Sequence, residues 1–177
     1  MIRSISFEKD WRCFKPGDAF DFDPHVTLVV GDQGTGKSSM LSIFKDRIGK
    51  LGQYKDIATI SATPTQVRIF DFERDNPRTK GHIEYFADVA MRFESHGNSI
   101  LAILGLLEDR SKEQMTFILD EPDMALSIRS INKLVRILQD THHQVIAAVH
   151  NPRLISAFPR VLSVEHRCWM SSDEFIA

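Results

Sequence analysis

Cysteine is nearly absent. The 177 residues include two, Cys13 and Cys168, far apart in the chain, so a disulfide framework is excluded and a reducing, cytoplasmic setting is the expectation. Neither a CxxC nor an HExxH spacing occurs, which removes the usual routes to a zinc site. No apolar run approaches the ~18 residues that a membrane-spanning helix requires. The first residues, Met1 to Trp11, lack the basic flank and apolar block of a secretory signal. Charge of one sign is lacking too, with 22 Lys+Arg against 24 Asp+Glu and a net charge of −2. There is thus no whole-molecule electrostatic case for nucleic acid, and only a local basic face stays open. Internal repeats, Ser/Gly linkers and low-complexity blocks are also missing, and a single domain over 1–177 is expected. What is present is 42% hydrophobic and 26% charged, the balance of a soluble globular domain. At this length, roughly 70% of the unfolded chain's surface is buried on folding, which suffices without metal or disulfide.

The periodicities predict an α/β fold. Ile2 to Phe7 and Ala19 to Asp23 alternate apolar and polar residues, as half-buried antiparallel strands do. Val26-Thr27-Leu28-Val29-Val30 is instead a continuous run suited to a central strand covered on both faces. A helix is predicted over Lys37 to Ile48, closed by Gly49. Further strands are predicted at Gln66 to Phe72, Met115 to Leu119, Gln144 to Val149 and Val161 to Val164. Helices are predicted at His82 to Phe93, Ser99 to Glu108 and Ser127 to Thr141. The last places Ile128, Ile131, Leu134, Val135 and Leu138 on one face, with Arg129, Lys133 and Arg136 on the other. This alternation implies a mainly parallel central sheet flanked by helices, with the first two strands forming an antiparallel flank.

Between the buried strand and the first helix lies Gly31-Asp32-Gln33-Gly34-Thr35-Gly36-Lys37-Ser38, followed by Ser39. It satisfies GxxxxGK[ST] at every fixed position and in the required context. A chance match in a chain of this length is on the order of one in a hundred or rarer. The glycines allow consecutive backbone N–H groups and the helix N-terminus to face a polyphosphate. Lys37 then complements β- and γ-phosphate charge, and the Ser38 hydroxyl is a ligand for Mg²⁺. ATP and Mg²⁺ are the expected ligands, with Gly31 through Ser39 as the binding segment.

A second signal ends the strand Phe117-Ile118-Leu119 with Asp120-Glu121-Pro122-Asp123. In P-loop enzymes the first carboxylate at such a strand end holds Mg²⁺ and its neighbour polarises the attacking water. Asp120 and Glu121 fit those roles. Consecutive strand residues face opposite ways, so Glu121 needs a change of direction, for which Pro122 is the evident device.

The ordered set GDQGTGKS, SHGNS, LDEPDMALS and VHNP resembles the ABC class of ATPases. In particular it is similar to compact stand-alone ATPases of bacteria and phages, related to the heads of structural-maintenance-of-chromosomes and break-repair ATPases. The likeness runs from about Ile2 to Val164. It implies that Ser95 and Gly97, at the N-terminus of the Ser99 helix, bind the γ-phosphate held by a partner subunit, giving an ATP-sandwiched homodimer. It also implies that His150 contacts the γ-phosphate, and that Ala125-Leu126-Ser127 meets the partner. Asn98 and Ser127 depart from the family's commoner Glu/Gln and Asp. The family's Gln beside the metal falls at the strand end Phe70 to Glu73, where Asp71 or Glu73 takes its place. Trp11, Arg12 and Phe14 are candidates for stacking on a base, or alternatively for a buried aromatic anchor.

The leading expectation is an ATP hydrolase with Lys37, Glu121 and His150 as catalytic residues and Ser38 and Asp120 as metal ligands. Its downstream task is expected in a DNA-related or partner complex, with DNA or a nuclease or repair protein as the candidate partner. Two other readings compete. A P-loop kinase for a nucleotide or small molecule would use Arg68, Arg74 and Arg78 in a lid, but it leaves Asp120-Glu121-Pro122, the Ser95 loop and His150 without roles. An ATP-switched regulatory module would leave the chemistry to a partner. The interval from Lys37 to Ser95 is too short for the long coiled-coil arms of chromosome ATPases.

Overall fold

A computed structural model describes residues 1–49, 51–72, 105–110, 113–124 and 126–177. The predicted helix over His82 to Phe93, the Ser95 and Gly97 loop, and most of the predicted Ser99 helix lie outside the described residues. Of the last, Gly105–Glu108 is a short 3₁₀ turn.

The strands in chain order are β1 (Ile2–Phe7), β2 (Ala19–Asp21), β3 (Val26–Val30), β4 (Ala58–Ala62), β5 (Val67–Asp71), β6 (Thr116–Asp120), β7 (Gln144–Ala148), β8 (Arg160–Ser163) and β9 (Cys168–Ser171). The helices are α1 (Lys37–Ile48), α2 (Ile128–Asp140), α3 (Pro152–Ile155) and α4 (Ser172–Ile176). Six strands form the central sheet in the order β5-β6-β7-β3-β8-β9. All its pairings are parallel except the antiparallel β8–β9 edge. A separate antiparallel sheet has the order β2-β1-β4.

The period-2 geometry of strands divides the core into two layers. Leu28 and Val30 of β3, Phe117 and Leu119 of β6, and Val145 and Ala147 of β7 pack on one side with Ile131, Leu134, Ile137 and Leu138 of α2. Their alternates Val29, Ile118, Ile146 and Ala148 pack on the other side with Met40, Leu41, Ile43 and Phe44 of α1 and with Ile5, Phe7 and Phe20 of the antiparallel sheet. Both faces of the central strands are therefore apolar, which is why β3 and β6 read as unbroken hydrophobic runs. Each fully buried Leu, Ile or Phe here contributes about 1.5–3 kcal/mol relative to exposure.

Gln144 ties the sheets together. Its side chain accepts from the Ile2 backbone N–H at 2.8 Å and donates to Ile2 O at 2.7 Å and Asp23 O at 3.0 Å. These bonds satisfy a buried amide and fix where β1 enters against the base of β7. The fold thus brings the carboxyl ends of β3, β6 and β7, with the loops that follow them, to one end of the sheet, the place where open parallel sheets build their sites.

Candidate functional site

The loop from β3 into α1 depends on glycine at two positions. Gly36, the residue before α1, has φ +104°, and a Cβ there would lie 2.2 Å from Cys13 Sγ and 3.1 Å from the Phe14 ring. Gly31 has φ +148°, and a Cβ there would lie 2.6 Å from Thr35 Oγ1. The loop is also tied internally, with Thr35 Oγ1 donating to Asp32 O at 2.8 Å and Cys13 Sγ to Thr35 O at 3.0 Å. Gly36→Ala is therefore expected to cost about 1–3 kcal/mol from backbone strain alone, with the Cys13 clash added. Urea unfolding measures it, and adding Cys13→Ala should recover only part of the loss because the positive φ persists.

Lys37 opens α1 and points back into the concavity of the loop. Its Nζ donates to Gly31 O at 2.6 Å and Asp32 O at 3.0 Å. The residue is 5% exposed. Burial holds the Lys37 ammonium's pKa below the usual lysine value, opposed by the charges of Glu121, Asp32, Asp120 and Glu165. A cation lodged among carbonyls at the start of a helix is chemically suited to an anion that replaces those carbonyl contacts.

Ser38, next on α1, donates through Oγ to Asp120 Oδ1 at 3.0 Å. Asp120 ends β6 and is buried. Desolvation pushes its carboxyl pKa up, while Lys45 and the Ser38 hydrogen bond pull it down and Asp71 and Glu121 add to the rise. A hydroxyl and a carboxylate oxygen at this separation form a hard-oxygen donor pair that fits Mg²⁺, which binds few protein ligands and completes its shell with water and phosphate. No group of three His, Cys, Asp or Glu suited to holding a metal by protein alone occurs among the described residues.

Glu121 turns where the strand stops. Its φ is +58°, a left-handed conformation unusual for a non-glycine residue. Its backbone N–H donates to Ala148 O at 3.0 Å. The change of direction thus occurs at Glu121 itself, before Pro122, and the carboxylate leaves the alternation of β6. It lies beside His150, just beyond β7, with Nε2 to Oε1 3.2 Å. Such strain at a strand end is typical of functional positions.

His150 is held from behind by Asp123. One carboxylate oxygen of Asp123, Oδ2, accepts the backbone N–H of His150 at 2.8 Å and of Asn151 at 2.6 Å. Asn151 in turn caps α3, its side chain accepting from the Arg153 and Leu154 N–H groups. Asp123 was not among the expected site residues, since in sequence it reads as one more acid in a polar turn. Lys45 was missed as well. Its Nζ lies 2.7 Å from Asp71 Oδ2 and 3.7 Å from Asp120 Oδ2. The available signal was its position two helical turns after Ser38 on the same face.

The structure therefore brings Gly31 through Ser39, Asp120, Glu121 and His150 to one end of the sheet. Asp71 joins them as the register partner of Asp120. Glu73, Ser95 and Gly97 lie outside the described residues. Ser127 caps α2, accepting from Ser130 N. In the first loop, Phe14 is fully buried and stacked on Phe7 with centroids 4.1 Å apart, so it is an anchor and cannot receive a base. Trp11 is half-buried in the same aromatic group. Arg12 is exposed, lies 4.8 Å over the Trp11 ring, and donates to Ser39 Oγ at 2.6 Å.

Comparison with solved structures defines the class of fold. The SMC head domain from Thermotoga maritima matches with a TM-score of 0.58 at 14% identity, covering 92% of this chain and 94% of that one. cbiO1 from Clostridium perfringens, part of the ABC transporter complex cbiONQ, gives 0.57 at 13% identity over 99% and 90% of the two chains. A bacterial Atm1-family ABC exporter with ATP bound gives 0.59 at 13% identity, covering 99% of this chain and 40% of the exporter's. No family model and no curated protein matches the chain. The fold is that of the ABC-type P-loop ATPases. No helix among the described residues is long and apolar enough to cross a membrane.

Proposed function

We propose that the protein binds Mg-ATP and hydrolyses it to ADP and phosphate, the active unit being a dimer with nucleotide between two subunits. The observation that carries this reading is the convergence of Lys37, Ser38, Asp120, Glu121 and His150 at the carboxyl end of one parallel sheet. The kinase reading leaves the Glu121–His150 pair without a role.

In this reading the loop N–H groups from Gly31 to Ser39 and the start of α1 hold the β- and γ-phosphates. Lys37 gives up its carbonyl contacts and donates to the phosphate oxygens. Ser38 and Asp120 would hold Mg²⁺, which supplies charge neutralisation at the phosphates. Glu121 orients a water and accepts its proton as the water oxygen bonds to the γ-phosphorus and the bond to the bridging oxygen breaks. His150, hydrogen-bonded to Glu121 and pinned by Asp123, is placed to contact the γ-phosphate and to couple its departure to α3. Ser95 and Gly97 of the second subunit complete the site in trans.

A DNA-related task is the proposed context. It is supported by the fold likeness to an SMC head and by Arg129, Lys133 and Arg136, exposed together on α2. The hydrolase reading is tested by incubation with Mg-ATP and no added acceptor. Inorganic phosphate should be released, with a rate per subunit that rises with protein concentration. A concentration-independent rate with strong stimulation by a nucleoside monophosphate would identify a kinase instead.

A further inference from the structure

Asp71 and Asp120 face one another across the β5–β6 pair at the same register. Their side chains are 10% and 7% exposed. Two carboxylates so close and so poorly hydrated repel one another, and a cation placed between them relieves that repulsion. Among the described residues, Lys45 supplies such a cation. It stands two turns along α1 from Ser38, within about 20° of it around the helix axis, and a helical lysine directs its side chain back toward the helix N-terminus. The ammonium reaches Asp71 Oδ2 at 2.7 Å and stands 3.7 Å from Asp120 Oδ2, while the other oxygen of Asp120 is occupied by Ser38. The contact to Asp71 is a tight ion pair, and that to Asp120 is looser. Asp120 is therefore shared between a resident cation and the hydroxyl with which it would ligate a metal.

We propose that Lys45 is a built-in counter-cation of the metal site, one that makes divalent-cation binding depend on the arriving triphosphate. Without nucleotide, the ammonium offsets one of the two carboxylate charges of the Asp71–Asp120 pair and repels a second cation. The triphosphate brings negative charge and further oxygen ligands, enough to hold the metal at Asp120 while Lys45 stays on Asp71. The consequence is a site that does not load metal on its own, so metal and nucleotide enter together. This inference rests on the reading of Ser38 and Asp120 as metal ligands.

The test is Mn²⁺ binding to the nucleotide-free full chain, followed by calorimetry and by the paramagnetic signal of free Mn²⁺. Wild-type protein should bind Mn²⁺ weakly. Lys45→Met, which keeps the apolar stem and removes the charge, should bind it more tightly by about tenfold or more, and its melting temperature should fall in chelator and recover with Mn²⁺. Lys45→Arg should behave like wild type. Asp71→Asn provides a route that leaves Lys45 in place: the ammonium then turns wholly to Asp120, and Mn-ATP should bind more weakly. Unchanged nucleotide-free Mn²⁺ affinity in a folded Lys45→Met, or unweakened Mn-ATP binding in Asp71→Asn, overturns the proposal. A separate arm, Asp120→Asn, tests the underlying reading. If Mn-ATP affinity survives that change, the metal assignment itself fails, whereas its loss beside an unaltered Lys45→Met leaves the assignment standing and removes only the counter-cation.

Discussion

Lys37→Ala should abolish ATP binding. The ammonium is the buried cation inside the phosphate loop, and each hydrogen bond it makes to a charged oxygen contributes about 1.5–3 kcal/mol. Losing two such bonds weakens binding by about a hundredfold to ten-thousandfold. The substitution also leaves Gly31 O and Asp32 O without the donor they now share, so some loss of stability is expected with it. Circular dichroism and urea unfolding establish that the variant is folded, and calorimetry with Mg-ATP reads the affinity. Wild-type affinity in folded Lys37→Ala would remove the loop from the account.

Glu121→Gln should leave ATP bound and hydrolysis slowed by about 10²–10⁴-fold, the usual contribution of a positioned general base. The amide keeps the size of the side chain and an oxygen facing His150, so the 3.2 Å contact has a conservative replacement. The amide cannot take the proton of the attacking water. Removal of one negative charge beside the triphosphate should hold or raise affinity. Single-turnover phosphate release against equilibrium ATP binding separates the two effects, and a variant that loses both equally would argue for a structural role of Glu121 at its left-handed turn.

How far the sequence carried these conclusions depends on the range of the forces involved. The bounds predicted for α1, Lys37 to Ile48, coincide with the helix, because a glycine at each end and a local apolar spacing determine them. β3 and β6 were legible because strands covered on both faces must be apolar throughout. β4 and β9 were not. Ala58-Thr59-Ile60-Ser61-Ala62 buries only its first residue fully and Cys168-Trp169-Met170-Ser171 buries none, and both take their conformation from a neighbouring strand rather than from their own pattern. Of the predicted helix Ser99 to Glu108, the described part is 3₁₀.

The site shows the same division. The phosphate loop is contiguous in sequence, and its glycines declare their backbone requirements. Lys45 and Asp123 act through contacts that only the packed chain supplies, one across α1 to β5 and β6, the other from the turn after β6 to the backbone following β7. Each is a charged residue that a linear reading assigns to solvent. The left-handed Glu121 is likewise invisible in sequence, where Pro122 attracts attention as the source of the bend. Alternation of side chains, read strictly, would have turned the carboxylate away from the site, and the positive φ is what turns it toward His150.

The most direct test of the sandwiched dimer is sedimentation velocity of Glu121→Gln in saturating Mg-ATP. The account expects a stable dimer, because ligand that binds the dimer preferentially draws the equilibrium toward it. The dimer should weaken when ADP replaces ATP, and Ser95→Arg added to the same chain should return it to monomer while ATP affinity stays nearly unchanged. A Glu121→Gln protein that stays monomeric with ATP bound, or a dimer indifferent to Ser95→Arg, would contradict it.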